Sequence, residues 1–389
     1  MVTHSPTQAE GPLELTTPRK VQLYLLSAAL FLALFSLVFG IAELILRHMA
    51  LSGSTESRDH LMQTDSLPVT FRPHYQGRIW DVPFRTNRYG FRGEEDFSTS
   101  HGPEEVRILS LGDSIGFGLG IPAEEHYTKV AQRRLSPSLP KRILRIVNAG
   151  GQGYSPSGYA VFLQEQGIAL QPDLVVIEIE LNNDVTDEAL IERRFHPQYP
   201  QLPSAVLGGR YLVGWDGNLL ASYTRGPYLL ERTYVYTELA RRFFTLADRI
   251  SPNPVFQDLP GLTYYSLGFD RWILTKQRIE WGWQSMFETL QATHRFLKVK
   301  QIPFLLLIMP SRFIYQDQAP QHRDFARSLV ERAVEMSRQR DLPFVDMTEP
   351  IGQGGGASLF FDFAHLTVEG NRVVGECLAQ QAAVLLKLD

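Results

Sequence analysis

The sequence predicts an α/β protein, a mostly parallel sheet sandwiched between helices, behind an apolar N-terminal helix. Three observations carry that expectation. Apolar, β-branched runs recur from Val106 onward: Val106–Leu111, Leu144–Val147, Leu174–Ile179, Phe304–Ile308 and Phe344–Val345. Several are apolar on consecutive residues, the pattern of strands buried on both faces. Helix-patterned stretches fall between most of them, for example Tyr159–Leu170 and Arg323–Arg340, which is the alternation of a helix-covered parallel sheet. Finally, Val21–Ala42 carries no charge.

That apolar run is close to the ~20 residues a helix needs to cross a bilayer. A core helix apolar on every face would be unusual. A cleaved signal peptide is the other reading, but its apolar region runs ~7–15 residues, and no clear small-x-small site follows this one. The expectation is therefore a single-pass anchor. Arg19 and Lys20 precede the span, and Arg47 and then Arg58 follow it. The positive-inside count places the N-terminus in the cytoplasm by a narrow margin. The bulk of the chain then lies beyond the membrane, in the periplasm if the cell is a Gram-negative bacterium.

The expected organisation is a tail over residues 1–20, an anchor over 21–46, a linker and N-terminal extension over 47–104, and an α/β domain over 105–389. Residues 51–66 are small and polar, as in a linker. Short β-like runs at Val69–Arg72 and Gly77–Phe84 lead into Thr86-Asn87-Arg88-Tyr89-Gly90-Phe91-Arg92-Gly93, which has the Asn and Gly content of a turn. Between Asp184 and Gln301 the chain is too long for a simple crossover, and an insertion is expected at about 185–300. It contains an apparent hairpin, Tyr211–Trp215 and Leu219–Tyr223, and helical stretches at about Tyr228–Asp248 and Arg271–Lys298. Its aromatic residues, Trp215, Trp272, Trp281 and Trp283 among them, read either as local core or as a wall facing a substrate.

Composition removes several function classes. At 44% hydrophobic residues over 389 positions the chain can bury a large core. A formal net charge of −4 supplies no electrostatic reason to expect nucleic acid as a partner. The single cysteine, Cys377, excludes an intrachain disulfide and reads as a small core residue. No Cys/His spacing of a zinc site is present, and no other metal or cofactor is expected. The glycines after the first strand do not form a nucleotide loop: no Lys-Ser/Thr follows them, and Gly116, Gly118 and Gly120 do not make G-x-G-x-x-G.

Chemistry concentrates at expected strand ends, where ligands bind in open parallel sheets. The first strand runs into Gly112-Asp113-Ser114. Ser114 there opens a helix, with its hydroxyl toward a crevice and its N–H among the unpaired helix donors; an ordinary turn is the other reading of Gly-Asp-Ser taken alone. The second strand ends in Asn148-Ala149-Gly150-Gly151-Gln152-Gly153, small enough for a backbone N–H to approach a ligand; a plain glycine turn is the other reading. The third ends in Leu181-Asn182-Asn183-Asp184, where an Asn amide either donates into the crevice or caps the next helix. Near the C-terminus stands Asp362-Phe363-Ala364-His365. An Asp can hold one imidazole nitrogen while the other takes a serine proton.

Together these four blocks resemble the SGNH/GDSL hydrolase family, over roughly residues 105–184 and 301–389. The resemblance implies a flavodoxin-like three-layer sandwich with a five-stranded parallel sheet in the order 2-1-3-4-5. It implies Ser114 as nucleophile, His365 as general base and Asp362 as the group that orients it. It further implies an oxyanion hole made of the Ser114 and Gly153 N–H groups and the Asn183 amide. Leu181 stands where the family usually has Gly. The Asn-Arg-Tyr-Gly-Phe-Arg stretch at 87–92 looks like one found in membrane-anchored members. The expected activity is serine-dependent hydrolysis of an acyl ester or O-acyl transfer, on a glycan or lipid ester outside the cytoplasm. The competing reading is an inactive membrane-anchored binding or assembly factor that kept the fold.

Overall fold

The computed structural model describes residues 17–49, 61–62, 66–67, 70–79, 82–151, 154–181, 183–207, 210–213, 219–223, 276–316 and 320–388. They fall into two units. In the first, α1 (Thr17–Met49) is one continuous helix. Its stretch Pro18–Ile45 has a mean hydropathy of 2.5 and is long and apolar enough to cross a membrane.

The second unit is built on a sheet of five strands: β1 (Glu105–Leu111), β2 (Ile143–Asn148), β3 (Leu174–Glu180), β4 (Phe304–Met309) and β5 (Phe344–Asp346). Every neighbouring pair is parallel, and the spatial order is β2-β1-β3-β4-β5. This is the expected 2-1-3-4-5 order. The reversal falls between β1 and β3, so the carboxyl ends of those strands flank one crevice. Residues of β3 are buried on both faces, as the apolar residues of Leu174–Ile179 predict, and the burial includes Glu178.

Alternate side chains of the strands feed two cores. On one face Leu109, Val175, Ile177, Leu306 and Ile308 pack with α4 (Pro156–Phe162), α6 (Lys276–Val299) and α7 (Pro320–Gln339). On the other, Ile108, Val176, Leu305 and Leu307 pack with α3 (Tyr127–Leu135), α8 (Thr348–Gly354) and α9 (Val368–Leu385). Cys377 of α9 is half-buried against the second core.

The expected helix over Tyr159–Leu170 changes character along its length. It is α-helical over Pro156–Phe162, widens to a π turn over Leu163–Gly167, and ends in a 3-10 turn over Ile168–Leu170. Part of the expected 51–66 linker is ordered structure, since Leu61–Met62 pairs with Thr70–Phe71. After it, Gln76–Ile79 and Val82–Arg85 form a hairpin. Phe71 and Phe84 from this extension close on Phe117, with ring centroids 4.7 and 5.1 Å away.

Between β3 and β4 stand two antiparallel pairs, Glu192–His196 with Tyr199–Leu207 and Arg210–Val213 with Leu219–Tyr223. The expected helix at 228–248, together with Trp215 and Trp272, lies outside the described residues. Trp283 is core, whereas Trp281 is exposed and carries the Arg193 guanidinium over its ring.

Candidate active site

The site begins with the turn after β1. Strand β1 stops at Leu111, and α2 (Ser114–Phe117) starts after two intervening residues. Asp113 caps α2, its Oδ1 accepting from the Ile115 N–H at 2.8 Å. Gly118 ends the helix after one turn at φ +83°, a left-handed conformation that favours glycine. Ser114 is thereby placed on the first position of a short helix, half-buried.

His365 arrives from the loop before α9. Its Nδ1–H donates to Asp362 Oδ2 at 2.6 Å, and its Nε2 accepts from Ser114 Oγ at 2.9 Å. The first bond selects the tautomer, leaving Nε2 as the acceptor. The other Asp362 oxygen accepts from the backbone N–H groups of Ala364 and His365 at 2.9 and 2.7 Å. Burial by itself would raise the Asp362 carboxyl. The hydrogen bond and charge of His365, with those two N–H groups, bring it below its ordinary value instead.

Asn183 stands at the end of β3, in front of α5 (Asp184–Leu190). Its Nδ2 donates to Asp113 Oδ2 at 3.1 Å and to Asp187 Oδ2 at 3.3 Å, and its Oδ1 is buried with no partner. Both amide hydrogens thus rest on carboxylates, and service to an oxyanion requires one of them to be exchanged. Gly153 lies outside the described residues. The small residues after β2 have a use other than ligand approach: a Cβ on Gly150 would stand 2.4 Å from the Gly116 carbonyl carbon and the Phe117 nitrogen. Gly150 therefore lets the β2 loop lie directly on the backbone of α2.

Several groups that hold this arrangement were not singled out by the sequence. Glu178 of β3 lies beneath the turn, its Oε2 accepting from the Gly116 N–H at 3.0 Å. Leu111 is in register with Ile177, so the first residue past β1 meets Glu178, and a Cβ on Gly112 would stand 2.4 Å from Oε2. Burial, then the neighbouring Asp113 and Glu180 charges, drive the Glu178 carboxyl well above its ordinary range. Its one visible signal is a carboxylate set between the apolar Ile177 and Ile179.

Asp184 shows the same upward direction, from burial and then from Asp113 and Glu178. It accepts from the Tyr159 hydroxyl and the Glu180 N–H.

His126 caps α3 and is fully enclosed. Its Nε2–H donates to the Ile115 carbonyl at 3.1 Å, and Asn148 Nδ2 donates to its Nδ1 at 3.2 Å. Burial, followed by the Arg92 charge, lowers it to about 3, so it is neutral. Arg92 itself donates to the Phe117 carbonyl at 2.6 Å and to the carbonyls of Gly118 and Ile121. Within the stretch 87–92, Asn87 Oδ1 makes the turn by accepting from the Tyr89 and Phe91 N–H groups, and Arg92 clamps the loop that follows the serine.

A cavity of about 600 Å³ lies on the outer side of Arg92 and includes neither Ser114 nor His365. Its Arg85 and Arg145 are paired with Glu94 and Glu95. The candidate chemistry is at the Ser114 crevice and not there.

No family model matches the chain, and no curated protein matches it. Among solved structures it is similar to an acetylxylan esterase from Geobacillus stearothermophilus, at 16% identity and a TM-score of 0.39, over 73% of this chain and 95% of that one. It is also similar to a two-domain esterase active on acetylated mannans, at 13% identity and a TM-score of 0.37, over 73% of this chain and 50% of that one. A third is a putative lipolytic protein of the G-D-S-L family from Desulfitobacterium hafniense, at 11% identity and a TM-score of 0.34, over 71% and 98%.

Proposed function

We propose that the chain is a membrane-tethered enzyme of the SGNH/GDSL type that moves an acyl group from an ester through an acyl-serine at Ser114. The observation that carries this reading is the continuous chain Ser114 Oγ to His365 Nε2 at 2.9 Å and His365 Nδ1 to Asp362 Oδ2 at 2.6 Å. An unassisted serine hydroxyl is a weak nucleophile. A neutral imidazole with its far nitrogen held by a carboxylate is the base that activates it.

In the first step Ser114 Oγ bonds to the ester carbonyl carbon and its proton passes to Nε2. The carbonyl π pair moves onto oxygen, which accepts from the Ser114 N–H; in support, this N–H has no hydrogen-bond partner among the described residues. Collapse expels the alcohol, which takes the proton from Nε2. Water, or the hydroxyl of an acceptor, then repeats the sequence in reverse and releases Ser114. Asp362 balances the imidazolium in both halves.

The apolar α1 supports the anchor, and with Arg19 and Lys20 on its N-terminal side it supports a domain outside the cytoplasm. An ester on an envelope glycan or lipid is the substrate class that suits this placement.

The test is labelling of the full chain in membranes by a fluorophosphonate, with ester turnover measured alongside. Both are expected in the wild type and lost in Ser114→Ala. Turnover that survives Ser114→Ala sinks the reading, and a wild type that neither labels nor turns over returns the case to an inactive binding factor. An acceptor sugar added to the same assay separates transfer from hydrolysis.

A further inference from the structure

Ser311 and Arg312 follow β4 at the same edge of the sheet as Ser114 and Asn183, and Arg312 opens the 3-10 turn Arg312–Tyr315. The turn is tied to the catalytic loop: the Arg312 N–H donates to the Phe363 carbonyl at 2.8 Å. Phe313 stacks on Phe363 at 6.4 Å, and the Phe363 ring lies edge-on to His365 at 6.5 Å.

Two polar groups here have no protein partner. Ser311 Oγ and Arg312 Nε are both sealed from solvent and unbonded. Among the described residues no carboxylate pairs with the Arg312 guanidinium and no aromatic ring lies beneath it. The enclosed arginines elsewhere spend their terminal nitrogens on the protein: Arg107 pairs with Glu105, Arg145 with Glu95 and Glu105, and Arg193 with Glu188, while Arg92, whose Nε is likewise unbonded, donates to the carbonyls of Phe117, Gly118 and Ile121. A buried hydroxyl and a partly buried guanidinium left unbonded are unfavourable unless a ligand completes them.

We propose that Ser311 and Arg312 form an anion subsite beside the catalytic loop, which holds an oxyanionic group of the acylated substrate, a carboxylate or a phosphate. The guanidinium fork matches the paired oxygens of either group, and the Ser311 hydroxyl supplies one more donor. This rests on the reading of Ser114 as the acyl-transfer nucleophile, and it narrows the substrate class to acidic esters.

The experiment measures kcat/KM of the full chain on three acetyl esters: neutral 4-nitrophenyl acetate, O-acetylated glucuronate and O-acetylated glucose 6-phosphate. The wild type is expected to favour one acidic ester over the neutral one, and which one it favours identifies the oxyanion. In Arg312→Gln the acidic-to-neutral ratio is expected to fall about tenfold or more, chiefly through KM, with Arg312→Lys intermediate. The wild type gives a second readout that needs no variant: free glucuronate or inorganic phosphate is expected to inhibit 4-nitrophenyl acetate turnover competitively. An unchanged ratio in Arg312→Gln, or a wild type with neither acidic preference nor inhibition, overturns the subsite. Ser114-dependent turnover of the neutral ester in those same assays shows that only the subsite has failed.

Discussion

The Asn183 amide donates to Asp113 Oδ2 across 3.1 Å, joining the carboxyl end of β3 to that of β1. The same oxygen lies 3.3 Å from Ser114 Oγ. One carboxylate oxygen thus faces both the proposed nucleophile and an expected oxyanion donor. If Asn183 turns to the oxyanion during reaction, Asn183→Ala lowers kcat about 100- to 1000-fold with KM little changed. A loss below about tenfold would show that the amide only tethers Asp113.

Replacing Asp362 by Asn removes the acceptor that sets the His365 tautomer. The expected fall in kcat is about 10⁴-fold. The Asp362 carboxyl sits below its ordinary value in the folded protein. Its contribution to stability is therefore complete above the unfolded value of about 3.9 and is lost as pH falls through the lower folded value. Urea titrations should show a wild-type advantage over Asp362→Asn that is constant from pH 7 to 5 and shrinks below about pH 4.

Glu178 separates a neutral support from a charged one. The unfolded carboxyl ionises above about pH 4.3, while burial holds the folded one back to a higher pH, so this residue erodes stability as pH rises. Glu178→Gln should keep the acceptor for the Gly116 N–H, retain turnover, and gain stability over the wild type as pH rises above the unfolded value of about 4.3. Glu178→Leu loses that acceptor and should lower kcat. Equal behaviour of the two variants would argue against the support role.

His126 has a folded value near 3 against about 6.5 unfolded. Below pH 6.5 the unfolded chain takes up a proton that the folded chain refuses. Stability is fully present above 6.5 and declines as pH falls toward 3, by up to about 1.4 kcal/mol per unit. His126→Gln should flatten that slope in chemical denaturation between pH 7 and 5.

Arg92 acts on the serine through the carbonyls of Phe117, Gly118 and Ile121. Arg92→Ala should cost about 1.5–3 kcal/mol in stability from its charged hydrogen bonds. It should also lower kcat more than it raises KM, with Arg92→Lys recovering part of both. A loss confined to stability would leave Arg92 a structural clamp only.

The sheet was legible because its strands are short apolar runs on consecutive residues, and Leu174–Ile179 is buried on both faces in the way that pattern requires. Ser114 was legible at the end of the first strand and Asp362 and His365 as an Asp-x-x-His before the last helix, blocks whose order resembles the SGNH/GDSL family, and folding brings the three within hydrogen-bonding distance. The small residues after β2 were legible as a close approach, but only the fold shows that at Gly150 it is α2 that approaches.

By itself the sequence determined the parallel α/β plan, the apolar N-terminal helix and the residues able to form a nucleophile-base pair. These follow from local periodicity and from chemistry that few side chains supply. The tertiary structure alone decided that the N-terminal extension braces the serine turn and that Glu178 lies buried beneath it. It alone left the Arg312 guanidinium unpaired beside the histidine loop. Each of those depends on which residues, distant in the chain, meet in a space closed to water, and no local pattern encodes that meeting.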